Sequence, residues 1–333
     1  MKNILLLDTS VGSQNKGDDI IMECTRKELG FILKDNFEYT LPTHVSPFHW
    51  YQLLIHYITG PSGKGRIQTY ADCKLKFIGG SNILCKNLLN YYPQWNINWF
   101  NCKPIEGCIG VGVGAGAGEK SNWYTRKMYQ RVLNHDYYHS ARDERTKEYI
   151  ESLGLKALNT GCVTMWMFTP EFCKSIPIAK SNTVVFTLTA DKNLMREDQF
   201  LMDTLIKEYE TVYFWPQGMF DFNYFRSLEN IESVNVLPAN KAAYDAFLSN
   251  NDVDYVGTRL HGGIYSMRHG RRAIIVAIDE RAREINKTNH LNCIDIKDIE
   301  QLPELIDSEF ETRVVMDYQA IDQWKSQFDN FNE

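Results

Sequence analysis

The chain has 333 residues, a formal net charge of −6 and an isoelectric point near 5.8. This length exceeds one ordinary core and predicts two domains of about 150 residues each, with a cleft between them. An acidic chain has no general attraction for a phosphate polymer, so nucleic acid is excluded as an expected partner. Any anion site must then rest on a few local Arg or Lys residues.

Short apolar runs alternate with amphipathic stretches along the first half of the chain. This alternation predicts βαβ units and a parallel sheet. The predicted strands are residues 4–8, 75–78, 108–113 and 137–141. The predicted helices lie near residues 18–29, 50–58, 123–133 and 144–153.

The same alternation resumes at Thr183, after Pro170 and Pro177. The predicted strands of this second half are residues 183–189, 212–215, 234–237, 253–256 and 273–278. We therefore place an N-terminal α/β domain, the expected acceptor side, at residues 1–170. A C-terminal α/β domain, the expected donor side, follows at residues 180–310.

The last segment, residues 311–333, is predicted to contain one amphipathic helix. Tyr318, Ile321, Trp324 and Phe328 fall on one side of it, and such an apolar side needs a surface to pack on. The expected fold class is α/β: two Rossmann-like domains that face a cleft, as in GT-B-like proteins, with the C-terminal helix packing back across.

The amino terminus and the cysteines indicate the compartment. Met1 leads directly into an apolar strand pattern, without the basic and apolar regions of a signal peptide. The eight cysteines form no C-x-x-C pair and no zinc-like spacing with histidine, which favours reduced structural thiols and no metal site. These features predict a cytoplasmic protein.

The segment from Pro47 to Ile58 carries no charged residue and is rich in aromatic and aliphatic side chains. Proline and histidine residues interrupt it, so it does not read as a transmembrane segment. Burial inside the first domain is the favoured interpretation, because few cations lie nearby. Peripheral contact with a membrane surface is the alternative.

The most informative segment runs from Asp254 to Val276 and reads as strand, loop, helix, strand. Its loop lies at the carboxyl end of a strand, where ligands of open α/β sheets bind. Arg259 and His261 lie two residues apart on it, and Gly262 and Gly263 open the helix. A guanidinium there can hold a carboxylate or phosphate beside an imidazole that carries a proton. A structural ion pair with a helix cap is the competing interpretation.

Arg259, His261 and Gly262 match an Arg-x-His-Gly signature and thereby resemble the polysaccharide pyruvyl transferases, which carry it on a strand-to-helix loop near the end of the chain. Further segments are similar to the family's motifs, in the same order. They are Asn15-Lys-Gly-Asp18, Gly79-Gly-Ser-Asn82, Gly110-Val-Gly-Val-Gly114 and Ser140-Ala-Arg-Asp-Glu-Arg-Thr146. The resemblance extends over roughly residues 1–290.

The resemblance implies an enzyme of surface or capsular polysaccharide biosynthesis. It would move the enolpyruvyl group of phosphoenolpyruvate onto two hydroxyls of a sugar and so form a pyruvate ketal. Phosphoenolpyruvate would be the donor substrate, with no cofactor and no metal. The acceptor would be a sugar, and a lipid-linked oligosaccharide acceptor would bring the protein to the inner membrane surface.

The resemblance also implies a donor site. Arg259 and Arg142 are the expected ligands of phosphoenolpyruvate, supported by Gly262 and Gly263. His261 is the expected general acid that protonates carbon C3 of the donor. If both arginines serve one donor, Arg142 must approach Arg259 across the domain interface.

The expected acceptor side carries a possible base and several loops. Asp18 either orients and deprotonates the attacking hydroxyl or caps the helix that follows it. The acceptor-side loops are expected at Asn15, Gly17, Gly80, Ser81, Asn82 and Gly114.

The chain departs from the family at one point. In family members an Asp-Pro often follows the Leu-Gly that comes after the Ser140 motif. In this chain that Leu-Gly is Leu153-Gly154, and Gly161, Cys162 and Val163 follow it instead. Two alternatives therefore stay open: a nucleotide-sugar glycosyltransferase of the same GT-B-type fold, and a non-catalytic binding protein derived from such an enzyme.

Overall fold

The computed structural model describes residues 1–46, 48, 51–54, 66–90, 92–116 and 120–332. These residues form two compact units. The first unit contains residues 1–13, 21–166 and 317–333, and the second contains residues 14–20 and 167–316. The division differs from the predicted boundaries at two places, because residues 14–20 group with the second unit and residues 317–333 group with the first.

The strands of the described residues are short and, in their sheets, parallel. In chain order they are β1 (Asn3–Asp8), β2 (Phe37–Pro42), β3 (Leu75–Gly79), β4 (Cys108–Val111), β5 (His139–Ala141), β6 (Ala157–Asn159), β7 (Thr183–Thr187), β8 (Thr211–Phe214), β9 (Asn235–Val236), β10 (Asp254–Gly257), β11 (Ala273–Ala277) and β12 (Cys293–Asp295).

Helices alternate with these strands. In chain order the α-helices are α1 (Gly17–Glu28), α2 (Gly30–Leu33), α3 (Arg66–Ala71), α4 (Trp123–Val132), α5 (Glu144–Ser152), α6 (Pro170–Lys174), α7 (Met195–Glu208), α8 (Asp221–Phe225), α9 (Lys241–Asn250), α10 (Leu260–Arg268), α11 (Glu280–Asn289), α12 (Leu302–Asp307) and α13 (Tyr318–Ser326). Among the described residues, no helix is long and apolar enough to cross a bilayer.

The first unit is built on a four-stranded parallel sheet with strand order β2-β1-β3-β4. Strands β5 and β6 pair beside it, and a parallel bridge joins Val113 to Ala141. Helix α13 packs on this unit through Trp324, whose ring contacts Phe77 and Trp166 and whose indole N–H donates to Tyr138 O at 2.8 Å. The predicted apolar side of the C-terminal helix is therefore buried within the first unit.

The second unit is built on a six-stranded parallel sheet with strand order β12-β11-β10-β7-β8-β9. Strand β10 lies inside the sheet between β7 and β11, and its burial is complete along its length. The carboxyl end of β10 is consequently held on both sides by neighbouring strands. The prediction of an α/β fold with parallel sheets is confirmed.

The sequence pattern missed three strands: β2, β6 and β12. β2 and β12 are edge strands, and only Leu41 of β2 is buried, so β2 lacks the apolar run that marks a buried strand. β6 and β12 have only three residues each. Residues 51–54 of the predicted helix near 50–58 are helical, whereas the rest of that helix and most of the uncharged segment from Pro47 to Ile58 lie outside the described residues.

A buried ion pair fixes β10 to the chain that follows β11. Arg272 donates to Asp254 Oδ2 at 2.7 Å, and the side chains are only 1% and 3% exposed. The same guanidinium donates to the carbonyls of Ile306 and Ser308, both at 2.8 Å. Tyr209 donates its hydroxyl to the same carboxylate at 2.9 Å. These bonds offset much of the cost of burying two charges, although Arg272 Nε has no hydrogen-bond partner among the described residues.

We expect Arg272→Leu to lower the free energy of unfolding by about 3–5 kcal/mol, because Asp254 would stay buried without its cation. Chemical denaturation measures the change. The matched control is Arg313→Leu, since Arg313 pairs with Glu311 while 78% and 64% of the side chains are exposed. The control should change stability by less than about 1 kcal/mol. Equal losses in the two variants would contradict the role of the buried pair.

Candidate functional site

Arg259 lies where β10 gives way to α10 in the second unit. It is the N-cap residue of α10 and has an extended backbone, with φ −92° and ψ 99°. Tyr255 on β10 donates its hydroxyl to Arg259 O at 2.7 Å, which holds the loop against the strand. The predicted strand, loop and helix are confirmed, and Arg259 stands at the carboxyl edge of the sheet.

The guanidinium of Arg259 is clamped by a buried carboxylate. Its Nε donates to Asp221 Oδ2 at 3.0 Å and to Leu188 O at 3.2 Å, and its Nη2 donates to Asp221 Oδ1. Asp221 is 0% exposed and also accepts from the backbone N–H of Gly218 at 2.7 Å. The carboxylate is therefore fully engaged, and the plane of the guanidinium is fixed.

This ion pair leaves one edge of the arginine available. Asp221 and Leu188 occupy Nε and one side of Nη2, while Nη1 has no hydrogen-bond partner among the described residues. The Arg259 side chain is 18% exposed although Asp221 is completely buried. A fixed guanidinium with an open edge is suited to bind a carboxylate or phosphate with two parallel hydrogen bonds.

Gly218 is required by the close packing of this clamp. A Cβ atom on Gly218 would lie 2.3 Å from Arg259 Nη2 and 3.0 Å from both Asp221 carboxylate oxygens. No larger residue fits unless the ion pair moves. The sequence analysis missed both Gly218 and Asp221, although both follow β8 and so lie at the same sheet edge as Arg259.

His261, Gly262 and Gly263 form the first turn of α10. All three are buried, and His261 is 5% exposed. Gly262 packs against Gln217, whose Oε1 would lie 2.9 Å from an added Cβ. That Oε1 atom is itself buried and has no hydrogen-bond partner in the described part of the chain. The start of α10 thus combines a helix N-terminus, an imidazole and an unused amide oxygen.

The Asn15 loop belongs to this same unit rather than to the first one. Asn15 Oδ1 accepts from Gln217 Nε2 at 2.8 Å and from the Gly17 N–H at 2.9 Å. Lys16 N–H donates to Gln217 O at 2.9 Å. Asn15 and Gly17 were expected on the acceptor side of the N-terminal domain. The structure instead places them beside Gln217, which adjoins the first turn of α10.

Asp18 is the second residue of α1 and is 7% exposed. The first helical residue of α1 is Gly17, so Asp18 lies in the first turn of this helix. At its observed position the carboxylate complements the positive end of the helix dipole.

Arg142 is the corresponding arginine of the first unit. Its side chain is 3% exposed, its Nε lies 3.3 Å from Asp143 Oδ2, and its Nη2 donates to Asn82 Oδ1 at 2.9 Å. Asp143 also caps α5, because its Oδ1 accepts from the Thr146 N–H at 2.8 Å. A Cβ on Gly114 would lie 2.5 Å from the guanidinium carbon of Arg142. The glycine therefore makes room for the arginine.

The other predicted residues of the first unit gather around this arginine. Ser81 O accepts from the Gly114 N–H at 2.8 Å, which ties the loop after β3 to the loop after β4. Gly80 packs against the backbone of Gly112, whose oxygen would lie 2.4 Å from an added Cβ. Gly80, Ser81, Asn82, Gly114 and Arg142 thus form one cluster at the carboxyl ends of β3, β4 and β5.

His139 on β5 is a structural residue. Its Nδ1 accepts from the Gly110 N–H at 3.0 Å, and its Nε2 faces Asn134 O at 2.9 Å. These bonds select the neutral tautomer, and burial lowers the pKa of His139 to about 4. A neutral, fully buried imidazole has no proton to give at neutral pH.

The cysteines are free, and all except Cys293 are buried. Burial raises the pKa of Cys108 and of Cys293 to about 12, so both thiols are protonated and unreactive at neutral pH. In the chain as far as the structure describes it, no group of three His, Cys, Asp or Glu side chains is placed to hold a metal.

Several solved structures share the fold of this chain. A UDP-GlcNAc 2-epimerase from Methanocaldococcus jannaschii has a TM-score of 0.54 at 10% identity, with 99% of each chain covered. The epimerase from Neisseria meningitidis has a TM-score of 0.51 at 12% identity, with 99% of this chain and 100% of the other covered. MnaA from S. aureus has a TM-score of 0.54 at 9% identity, covering 99% and 97%. The two-unit α/β fold is thus that of GT-B-type enzymes.

The sequence then identifies the family. The profile of the family described as polysaccharide pyruvyl transferase matches residues 15–280, so this chain belongs to the polysaccharide pyruvyl transferases. A search of the curated protein sequences finds no significant match. The resemblance drawn from the five motifs is confirmed, and the chain is accordingly a transferase whose family acts on sugars of polysaccharides.

We expect Gly218→Ala to lower the free energy of unfolding by about 1–3 kcal/mol, because the added methyl group displaces the Arg259–Asp221 ion pair. Gly30→Ala is the matched control, since a Cβ at Gly30 meets no atom within 4 Å. It should change stability by less than about 1 kcal/mol. Chemical denaturation compares the two variants. If Gly218→Ala leaves the free energy of unfolding unchanged, the space beside the ion pair accommodates a methyl group and the prediction is wrong.

Proposed function

We propose that this protein transfers the enolpyruvyl group of phosphoenolpyruvate to two hydroxyls of a sugar and forms a pyruvate ketal during surface or capsular polysaccharide synthesis. The observation that carries the proposal is the Arg259–Asp221 clamp at the carboxyl edge of the second sheet, in a chain that belongs to the pyruvyl transferase family. The donor and the ketal product are what the family resemblance implies, and the chemistry of the site is compatible with both.

Phosphoenolpyruvate carries a carboxylate and a phosphate, and both groups suit a planar guanidinium. The open Nη1 edge of Arg259 can bind either group with two hydrogen bonds, whereas a lysine offers only a point charge. The adjacent N-terminus of α10 adds N–H groups and a positive dipole end. We assign the buried guanidinium of Arg142 to an anionic group of the substrates as well.

The transfer requires a proton on C3 of the enol. His261 is our candidate for this general acid, because it lies in the first turn of α10, two residues after Arg259. Protonation of C3 makes C2 electrophilic, and a sugar hydroxyl adds there. Phosphate then leaves C2, and a second hydroxyl closes the ring and loses its proton. Asp18 remains our candidate for orienting or deprotonating a hydroxyl.

The acceptor is a sugar, and we propose a lipid-linked oligosaccharide as its form in the cell, at the inner membrane surface of the cytoplasm. The departure at Gly161 does not disturb the arginines: Gly161 adopts φ +72°, which glycine favours, and Cys162 is buried beside Thr164. Neither residue contacts Arg142 or Arg259 through a hydrogen bond among the described residues.

Phosphate release tests the donor directly. The protein is incubated with phosphoenolpyruvate and a panel of galactosides and mannosaminides, and products are examined by mass spectrometry. Acceptor-dependent phosphate release with a ketal product supports the proposal. Transfer from a nucleotide sugar instead, or no turnover with any donor, would overturn it in favour of a glycosyltransferase or a binding protein.

We expect Arg259→Lys to raise the KM for phosphoenolpyruvate by roughly ten- to a hundredfold although the charge is kept, because lysine cannot reproduce the two-bond clamp. Arg271→Lys is the matched control: Arg271 is 21% exposed, close to the 18% of Arg259, but pairs with Asp252. Steady-state kinetics compare them. A wild-type KM in Arg259→Lys would exclude the clamp as the donor site.

We expect His261→Gln to keep donor binding while turnover falls by about 10²- to 10⁴-fold, because glutamine can hydrogen-bond but cannot donate a proton at neutral pH. In deuterated water, the wild-type enzyme should place deuterium in the methyl group of the ketal. Near-normal turnover with the same deuterium incorporation in His261→Gln would assign the step to another acid, and His269 would be examined next.

A further inference from the structure

A buried carboxyl group lies behind the arginine clamp and takes no part in the proposed chemistry. Asp198, on α7, is 0% exposed and accepts a hydrogen bond from the Tyr224 hydroxyl at 2.6 Å through Oδ2. Its other oxygen, Oδ1, is buried and has no hydrogen-bond partner among the described residues. A buried acid with one unsatisfied oxygen is costly when ionised.

The hydrogen bond connects Asp198 to the clamp through a single short helix. Tyr224 lies on α8, and the first residue of α8 is Asp221, the carboxylate that holds Arg259. Tyr224 is itself buried, with 7% of its surface exposed. The bond that Asp198 accepts therefore helps to hold α8, together with the packing of Phe225 on Phe214.

The ionisation of Asp198 is also sensitive to pH near neutrality. Burial, together with the carboxylates of Glu197, Asp191 and Asp221, raises the pKa of Asp198 to about 7, while the Tyr224 hydrogen bond opposes the rise. Asp221 in turn forms an ion pair with Arg259. Near neutral pH, a negative charge consequently appears or disappears behind the anion site.

We propose that Asp198 is a positioning residue of the anion clamp: through Tyr224 it fixes the helix that carries Asp221, and its ionisation weakens anion binding at Arg259. The inference rests on the proposed anion site but not on the identity of the donor. The sign follows from electrostatics. Ionised Asp198 adds a negative charge near the site and repels an anion, so affinity falls as pH rises through neutrality.

Sulfate is the probe, because it stays a dianion over the whole range whereas the phosphate of the donor titrates. Calorimetric titration at pH 6 and pH 8 gives the ratio of the two dissociation constants for each protein. Wild-type affinity should weaken at the higher pH, and Asp198→Asn should reduce that ratio by roughly three- to tenfold, since asparagine still accepts from Tyr224 but cannot ionise. A purely structural role would change affinity equally at both pH values.

The matched control is Asp203→Asn, an exposed aspartate on the same helix, which should keep the wild-type ratio. Tyr224→Phe provides a second variant. It removes the bond that lowers the pKa of Asp198, so the fall in affinity should move to higher pH. An unchanged ratio in Asp198→Asn together with an unshifted profile in Tyr224→Phe overturns the inference while the clamp stands. If Arg259→Lys does not weaken sulfate binding, or if sulfate does not bind, the anion clamp itself is overturned.

Discussion

The bond between Arg259 and Asp221 is the constraint on which the second unit's site depends. A buried carboxylate is costly unless its oxygens are hydrogen-bonded, and Asp221, which is 0% exposed, accepts from the guanidinium and from the backbone N–H groups of Gly218 and Ala190. Because the pair fills the space beside Gly218, it also determines which residue can stand there. The ion pair thus explains the glycine, the start of α8 and the direction of the open arginine edge.

In the first unit, Arg142 is likewise held between an aspartate and a glycine. Asp143 lies along Nε and Nη2, and Gly114 lies against the guanidinium carbon. In each unit an arginine lies between an aspartate and a glycine at the carboxyl ends of parallel strands. Gly114 and Gly218 therefore each make room for a guanidinium.

Much of this fold could be predicted from the sequence, because buried parallel strands such as β1, β7, β10 and β11 appear as short apolar runs between helical patterns. The edge strands β2 and β12 were missed, whereas the edge strands β4 and β9 were predicted. The partner of Arg259 was missed for another reason: Asp221 is 38 residues earlier, and only the pairing of β8, β7 and β10 brings the two together. The Asn15 loop was assigned to the wrong unit because chain order alone does not show where a loop packs.

If Arg259 binds the anion, Asp221 must assist binding by orienting the guanidinium, although Asp221 is itself negative. Titration of phosphoenolpyruvate against Asp221→Asn tests this directly, because simple charge repulsion and orientation predict opposite signs. Our account predicts weaker binding, by roughly tenfold, since the guanidinium loses the charged bonds that fix it. Tighter binding than in the wild-type protein would contradict the account and make Asp221 only a neutralising counter-ion.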